Sequence, residues 1–450
     1  MGKAEAVIVG GGISGLSLAY FLLKKKPEFD IKIIEAEKRA GGKIVTENVS
    51  GFLCEGGVNG FLSNKPSTIA LAGELNIEPI KGSEDSKIRY ILINGKLTKV
   101  PDSPVKFFLS SLISLSGKLR MIGEYFIPAM KEEVDETVES FVSRRVGREF
   151  YEKLIDAMST GIYAGDPSKM SMKSCFPKVY FLEKKYGGLI KGLLALKKEK
   201  KDVKAQPETV LMSFKGGMSE LIKVLENALS SRVVKGKKVV SIVKNNGFYT
   251  VYFEDGDSIE AEKVILACPA HEASEILKEL DREVSDILKT IPYPPLSVVA
   301  FGFKKEQIGF GTSLYGFLIP HREKRKILGT LFDSSIFPNR APEGYVLLRT
   351  MIGGRRAPEL AMLPDEKLID TAISELRDIL HIKGAPEFIK IFRWEKAIPQ
   401  YELGHEEKLR KIEQRISKFS GLYLTGNAYR GVSVNDCIEN SMKLAERILL

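Results

Sequence analysis

Only four cysteines occur in 450 residues, at 54, 175, 268 and 437, and they stand far apart. Such spacing excludes a CxxC redox pair, a zinc ribbon and a disulfide scaffold. The four histidines, at 271, 321, 381 and 405, are equally scattered, so no metal-binding histidine cluster is legible. Tryptophan occurs once, at 394. No apolar run reaches the length of about 18 residues that a membrane-crossing helix needs. Internal repeats and low-complexity tracts are absent as well. The first residues run straight into an apolar strand pattern, so no signal peptide is expected.

The chain does carry an excess of positive charge: 68 Lys and Arg against 58 Asp and Glu leave +10. Nucleic acid, an anionic lipid surface and an acidic small molecule all fit that excess, and composition does not choose among them. Hydrophobic content of 44% and charged content of 28% place the chain among folded proteins, and its length allows up to three domains.

The first thirty-five residues read as a βαβ unit. An apolar strand over 6–9 enters Gly10-Gly11-Gly12-Ile13-Ser14-Gly15. A helix follows with Leu16, Ala19, Tyr20 and Leu23 on one face, and it closes at Lys24-Lys25-Lys26-Pro27. A second strand over 31–34 delivers Glu35 and Ala36. In this dinucleotide fingerprint Gly10 makes the turn and Gly12 leaves room for a pyrophosphate. Gly15 lets the helix lie close on the sheet, and Glu35 accepts from ribose hydroxyls. Arg39-Ala40-Gly41-Gly42-Lys43 follows. It resembles the RxGG element of flavoproteins of the amine-oxidase and glutathione-reductase-like superfamily, whose backbone approaches FAD phosphates. FAD is therefore the expected dinucleotide.

Further along, strands are expected over 89–93 and 96–100 around an Asn94-Gly95 turn. A mostly helical stretch over 105–201 is expected to end in an exposed cationic loop at 197–201. An amphipathic helix follows over 219–230, with strands over 239–243, 248–253 and 258–267. A strand-rich stretch occupies 296–352 and a helix 365–380. The chain closes with a strand over 421–425, a glycine-bearing loop and a helix from 433. Ser433 and Asp436 read as the capping box of that helix. Its positive N-terminus suits the pyrimidine edge of a flavin.

Several longer runs carry a more specific resemblance. They are Glu55-Gly56-Gly57-Val58-Asn59-Gly60, Gly161-Ile162-Tyr163-Ala164-Gly165-Asp166-Pro167, and Ser171-x-x-Ser174-Cys175-Phe176-Pro177. Ile398-Pro399-Gln400-Tyr401-x-x-Gly404-His405 and Gly431-Val432-Ser433-Val434-Asn435-Asp436-Cys437-Ile438 complete the set. With these the chain resembles the protoporphyrinogen and coproporphyrinogen oxidase family, FAD enzymes of late haem synthesis, along nearly its whole length. The family usually reads GPN or GPR where this chain has Gly57-Val58-Asn59.

The resemblance implies an α/β fold. It comprises a Rossmann-like FAD domain of the glutathione-reductase and amine-oxidase type, a mixed-sheet substrate domain and a helical membrane-binding subdomain. The expected boundaries are 1–80, 206–290 and 400–450 for the first, 81–101 and 291–399 for the second, and 102–205 for the third. It also implies oxidation of protoporphyrinogen IX to protoporphyrin IX in three hydride transfers to flavin N5, with dioxygen as reoxidant giving peroxide. Coproporphyrinogen III is the alternative substrate; a flavin amine oxidase and an FAD-free binding protein are more distant readings.

Among site residues, Arg89 matches an arginine that pairs with a substrate propionate, and Leu318 and Met351 match residues that sandwich the tetrapyrrole. Gly316 matches a glycine close to that ring, Val239 a valine at the adenine, and Trp394 an aromatic near the flavin. Gly57, Val58, Asn59, Gly60, Val432, Ser433 and Val434 join Gly10–Gly15, Glu35, Ala36 and Gly42 as expected cofactor contacts. Cys437 lacks the context of flavin-linking cysteines, so FAD is expected to be non-covalent, and no general base is named. Phe107, Phe108, Leu109, Leu112 and Ile113, flanked by Lys106, Lys118 and Arg120, match the family's membrane-binding part, as does the run from Leu189 to Leu196. The expected setting is cytoplasmic, peripheral on the membrane face, as a monomer or homodimer, with no nucleic-acid partner.

Overall fold

Strand Lys3–Val9 is apolar on both faces because it lies inside a sheet covered on both sides. Ala6 and Ile8 pack into one core cluster, and Val7 and Val9 into another. In the computed structural model, which describes residues 2–132, 134–199 and 209–450, this strand pairs in parallel with Ile31–Glu35 and with Ser258–Leu266. The full order is Val233–Lys235, Ile31–Glu35, Lys3–Val9, Ser258–Leu266, Phe248–Phe253, Val239–Asn245. Leu422–Leu424 adds in parallel to the C-terminal half of Ser258–Leu266. Helix Ile13–Lys25 packs against the last helix, Val434–Leu449, where the Ser441 hydroxyl donates to the Ser14 carbonyl (2.8 Å). The two ends of the chain therefore build one unit.

A second seven-stranded sheet runs in the order Phe388–Trp394, Leu296–Lys304, Tyr345–Gly353, Ile327–Phe332, Gly316–Leu318, Arg89–Ile93, Lys96–Lys99. The Asn94-Gly95 turn forms as expected, both residues having positive φ (51° and 72°). Strand Phe388–Trp394 was not expected from the sequence, although Phe388, Lys390 and Phe392 alternate with Ile389, Ile391 and Arg393. Helix Asp365–Leu380 covers the far face through Leu368, Leu376 and Leu380.

Residues 104–199 form a series of helices, including Pro104–Leu109, Leu115–Ile122, Val138–Val146, Asp156–Tyr163, Pro177–Tyr186 and Leu189–Glu199. Buried ion pairs tie them together: Arg145 with Glu124, and Arg144 with Glu136 (2.6 Å) and Glu183 (2.9 Å). Glu124 also accepts from the backbone N–H of Leu189 (2.7 Å) and Ile190 (2.9 Å) at a helix start, where negative charge is favoured. The expected loop over 197–201 is corrected in part. Lys197, Lys198 and Glu199 complete the helix Leu189–Glu199, since Lys suits a helix C-terminus, while Lys200 and Lys201 lie outside the described residues.

The Ile398-Pro399-Gln400-Tyr401 run is a seam between these parts. The Gln400 amide donates to the Tyr163 carbonyl (2.9 Å), and the Tyr401 hydroxyl donates to the Asn427 carbonyl (2.5 Å). Asp135 accepts from the Ser171 hydroxyl (2.6 Å) and from the Gly404 N–H (2.8 Å). One short segment thus fastens the helical region to the loop before the last helix.

Candidate cofactor and active site

A cavity of about 760 Å³ opens at the C-terminal ends of the parallel strands, where ligands bind in open α/β sheets. Gly10, Gly12, Ile13, Ser14, Glu35, Ala36 and Gly42 line one side of it. Val58, Val239, Trp394, Val432 and Val434 line the rest among the expected residues. Local chemistry explains each glycine differently. Gly10 has φ +110°, and a Cβ there would press on the Ala267 carbonyl at 3.0 Å. At Gly15 a Cβ would collide with the Gly10 carbonyl oxygen, so this glycine serves packing. A Cβ on Gly12 would meet nothing within 4 Å, so that position faces open cavity.

Helix Ile13–Lys25 begins without a side-chain cap and without an acid in its first turn. Its first N–H groups are therefore left for an anion, and the positive end of the helix faces the cavity. Glu35 is pinned in place. One carboxylate oxygen accepts from Gly11 N–H (2.7 Å) and the other from Glu37 N–H (2.9 Å). Two lone pairs remain for hydroxyl donors. The free N–H groups, the open space at Gly12 and the anchored carboxylate fit a dinucleotide's pyrophosphate and ribose.

Six expected cofactor residues do not line the cavity: Gly15, which serves packing, and five that stand behind its wall. Gly11 spends its N–H on Glu35. The Gly57 carbonyl accepts from Arg349 (2.8 Å), and a Cβ on Gly57 would collide with the Lys43 carbonyl. Gly60 abuts the Met212 carbonyl in the same way. Ser433 caps the last helix, accepting from the Asp436 N–H (3.1 Å), and Asp436 returns to the Ser433 backbone (3.2 Å). Asn59 is buried with neither amide atom partnered, a polar group in want of a ligand.

Sequence reasoning missed several lining residues, among them Cys268, His271 and Glu272 after strand Ser258–Leu266, and Gly426 and Asn427 after Leu422–Leu424. Their signal was position alone: each follows a parallel strand of the first sheet. Lys43 also lines the cavity. Its ammonium sits 5.8 Å from the Tyr293 ring centroid and 5.9 Å from that of Trp394. Burial, reinforced by Lys396, pulls it down to about 8. Burial likewise pushes the Cys268 thiol up to about 12 and that of Cys437 up to about 11, so neither is a thiolate at neutral pH.

Of the second sheet only Trp394 lines this cavity; Arg89, Gly316, Leu318 and Met351 lie outside its lining, and register decides which of them share a face with Trp394. Arg89 pairs with Gly316, Gly316 with Leu331, and Leu331 with Arg349. One step along, Ile91 pairs with Leu318, Leu318 with Gly329, Gly329 with Met351, and Met351 with Val298. Leu296 pairs with Trp394. Directly paired residues and those two apart point the same way, so Arg89, Leu318, Met351 and Trp394 stand on one face. Gly316 and Gly329 interrupt that face and leave it shallow. Trp394 is fixed by its indole N–H, which donates to the Gly56 carbonyl (2.8 Å).

The helical region closes over the same face. A Cβ on Gly161 would press on Leu318 at 2.8 Å, and Ala164 packs with Met351 and Trp394. Arg89 sits at the exposed rim, its guanidinium 5.0 Å from the Tyr315 ring centroid and without a carboxylate partner among the described residues. The Tyr163 hydroxyl is spent on the Cys175 carbonyl (3.1 Å), and burial raises it well above its ordinary range.

Comparison with known proteins accords with this geometry. Residues 13–449 match the family described as flavin containing amine oxidoreductase. The chain is 30% identical to coproporphyrinogen III oxidase of Bacillus subtilis (strain 168), over 97% of this chain and 96% of that one. It is 34% identical to the chloroplastic protoporphyrinogen oxidase of Oryza sativa subsp. japonica, over 99% of this chain and 88% of that one. Among solved structures, one from Exiguobacterium sp. 255-15, provisionally named a protoporphyrinogen oxidase, superposes with TM-score 0.85 at 24% identity, covering 98% of both chains. A putrescine oxidase superposes with TM-score 0.72 at 16% identity, covering 100% of both. The chain belongs to the flavin containing amine oxidoreductase family and is an FAD-dependent oxidoreductase.

Proposed function

We propose that the protein oxidises protoporphyrinogen IX to protoporphyrin IX. The observation that carries this reading is the glycine-interrupted face bearing Leu318 and Met351, with Trp394 at the cofactor end and the unpaired Arg89 at the rim. An apolar macrocycle with carboxylate side arms suits such a surface, because the guanidinium fork takes a carboxylate while the shallow floor takes the ring. When bound, FAD accepts each pair of electrons as hydride, and three dioxygen molecules take up the six electrons and six protons as three hydrogen peroxide. The chain contributes placement. Gly12, Glu35 and the free helix start hold the dinucleotide, and Leu318, Met351 and Ala164 exclude water. Arg89 fixes the orientation. The intact cofactor cavity speaks against an FAD-free binding protein.

The test offers FAD-loaded protein protoporphyrinogen IX and coproporphyrinogen III side by side and follows porphyrin fluorescence. A higher kcat/KM on the former supports the reading, and a clear preference for the latter overturns it in favour of the coproporphyrinogen reaction.

A peripheral membrane setting on the cytoplasmic face is part of the same proposal. No helix among the described residues is long and apolar enough to cross a membrane. Residues 105–126 nevertheless expose Val105, Leu109, Leu115 and Phe126 (70%, 82%, 75% and 81%) beside Lys106, Lys118 and Arg120. That mix suits a headgroup region. Of the expected segment, Leu112 and Ile113 are buried instead and pack on Ile91 and Ile93. Sedimentation with phosphatidylglycerol vesicles is expected to carry the protein down, and Leu109→Asp with Phe126→Asp to abolish this while FAD content stays constant. We also propose the three-part division of the chain given by the expected boundaries. The break at 205–206 lies outside the described residues.

A further inference from the structure

A second cavity, of about 630 Å³, lies on the other side of the loop that follows strand Leu422–Leu424. It shares only Gly426 with the lining of the cofactor cavity. Its floor is the free edge of that strand, flanked by helices His405–Ile416 and Val434–Leu449. The strand pairing fixes which backbone groups face it. Val264 N–H donates to Gly421 (2.8 Å) and Thr425 N–H to Leu266 (3.0 Å), so the odd-numbered residues 421, 423 and 425 serve the sheet. The N–H and carbonyl of Leu424 and the carbonyl of Leu422 alternate outward, into the groove. An unpaired strand edge is a template for another strand. Ile412, Ile416, Leu422 and Leu444 supply an apolar bed for alternate side chains.

The charges are one-sided. Arg430, Lys443 and Arg447 line the groove against Glu413 alone. Arg430 is committed to Glu413 (2.9 Å) and Lys443 to Glu439 (2.5 Å), whereas Arg447 has no carboxylate partner among the described residues. We propose that this groove binds an extended peptide segment of a partner protein, which adds a strand along Leu422–Leu424 and places a carboxylate on Arg447. Backbone bonds would supply affinity, the apolar bed would select alternate side chains, and Arg447 would set register. Because Gly426 borders both cavities, the docked strand would lie one loop away from the cofactor.

The test pans a phage-displayed library of random peptides against the full-length FAD-loaded protein, and titrates the enriched peptides by fluorescence anisotropy. Peptides carrying Asp or Glu are expected. Arg447→Glu should weaken them about tenfold or more, with FAD content unchanged. N-methylating the peptide amides at alternate positions should abolish binding, and at the intervening positions leave it intact. Failure to enrich any peptide would overturn the proposal. So would binding insensitive to both Arg447→Glu and N-methylation. Concentration-dependent dimerisation that Arg447→Glu reverses would assign the groove to a second copy of this chain and overturn it too.

Discussion

Individual glycines here separate binding from folding. Gly12 faces open cavity whereas Gly15 is jammed against the Gly10 carbonyl, so the same substitution has opposite costs at the two positions. Gly12→Val is expected to leave the melting temperature of the FAD-free protein nearly unchanged and to abolish FAD retention, read as flavin absorbance per protein. Full flavin content in that variant would remove the pyrophosphate from Gly12. Gly15→Val, by contrast, should lower the melting temperature outright. At the substrate end, Arg89 is a rim cation with no internal partner. Arg89→Ala should therefore raise KM for a porphyrinogen about tenfold, the worth of a charge-assisted hydrogen bond, with little effect on kcat. An unchanged KM would count against the propionate role. The turn at Gly10, the close helix packing at Gly15, the open space at Gly12 and the place of Glu35 at a strand end were legible because each rests on local backbone geometry. The solvent-poor setting of Lys43 was not, since it depends on Tyr293 and Trp394 arriving from distant parts of the chain.

Elements bring a pH dependence that single residues conceal. Helix His405–Ile416 starts with His405 stacked on Tyr401 (centroids 4.2 Å apart), near the Tyr429 carbonyl (3.3 Å). Burial pulls the imidazole down to about 4. An unfolded histidine titrates near 6.5, so between these values the unfolded chain binds a proton that the folded chain refuses. Stability from this site is complete above about pH 6.5 and falls as pH drops towards 4, by on the order of 3 kcal/mol. Denaturant titrations across that window should show the slope, and His405→Gln should flatten it whatever its effect at neutral pH. That helix was missed in the sequence although Leu409, Ile412 and Ile416 keep helical spacing; the strand Phe388–Trp394 was missed despite its alternation. Elements with strong local signals, such as Ile13–Lys25 and the capped Val434–Leu449, were read within a few residues of their ends.

On the scale of the whole molecule, the cofactor cavity is assembled by the first strands, the meander before residue 267 and the last loop. The resemblance implied an assembly from 1–80, 206–290 and 400–450, but not that Cys268, His271 and Glu272 would line the cavity. The fold class was legible from the βαβ unit and the late return to it. The shared face of Arg89, Leu318, Met351 and Trp394 was not, because it follows from parallel pairing of Arg89–Ile93 with a strand more than two hundred residues away. The excess of ten positive charges also takes on places: Lys106, Lys118 and Arg120 beside exposed apolar side chains, and Arg89 at the mouth of an apolar face. All of this converges on one reaction, and the most direct measurement is turnover of protoporphyrinogen IX by the FAD-loaded protein in air, with porphyrin fluorescence and peroxide recorded together. Protoporphyrin is expected at a rate far above autoxidation, with about three equivalents of peroxide per porphyrin. A flavin-loaded protein that leaves protoporphyrinogen at its autoxidation rate would contradict the proposed reaction.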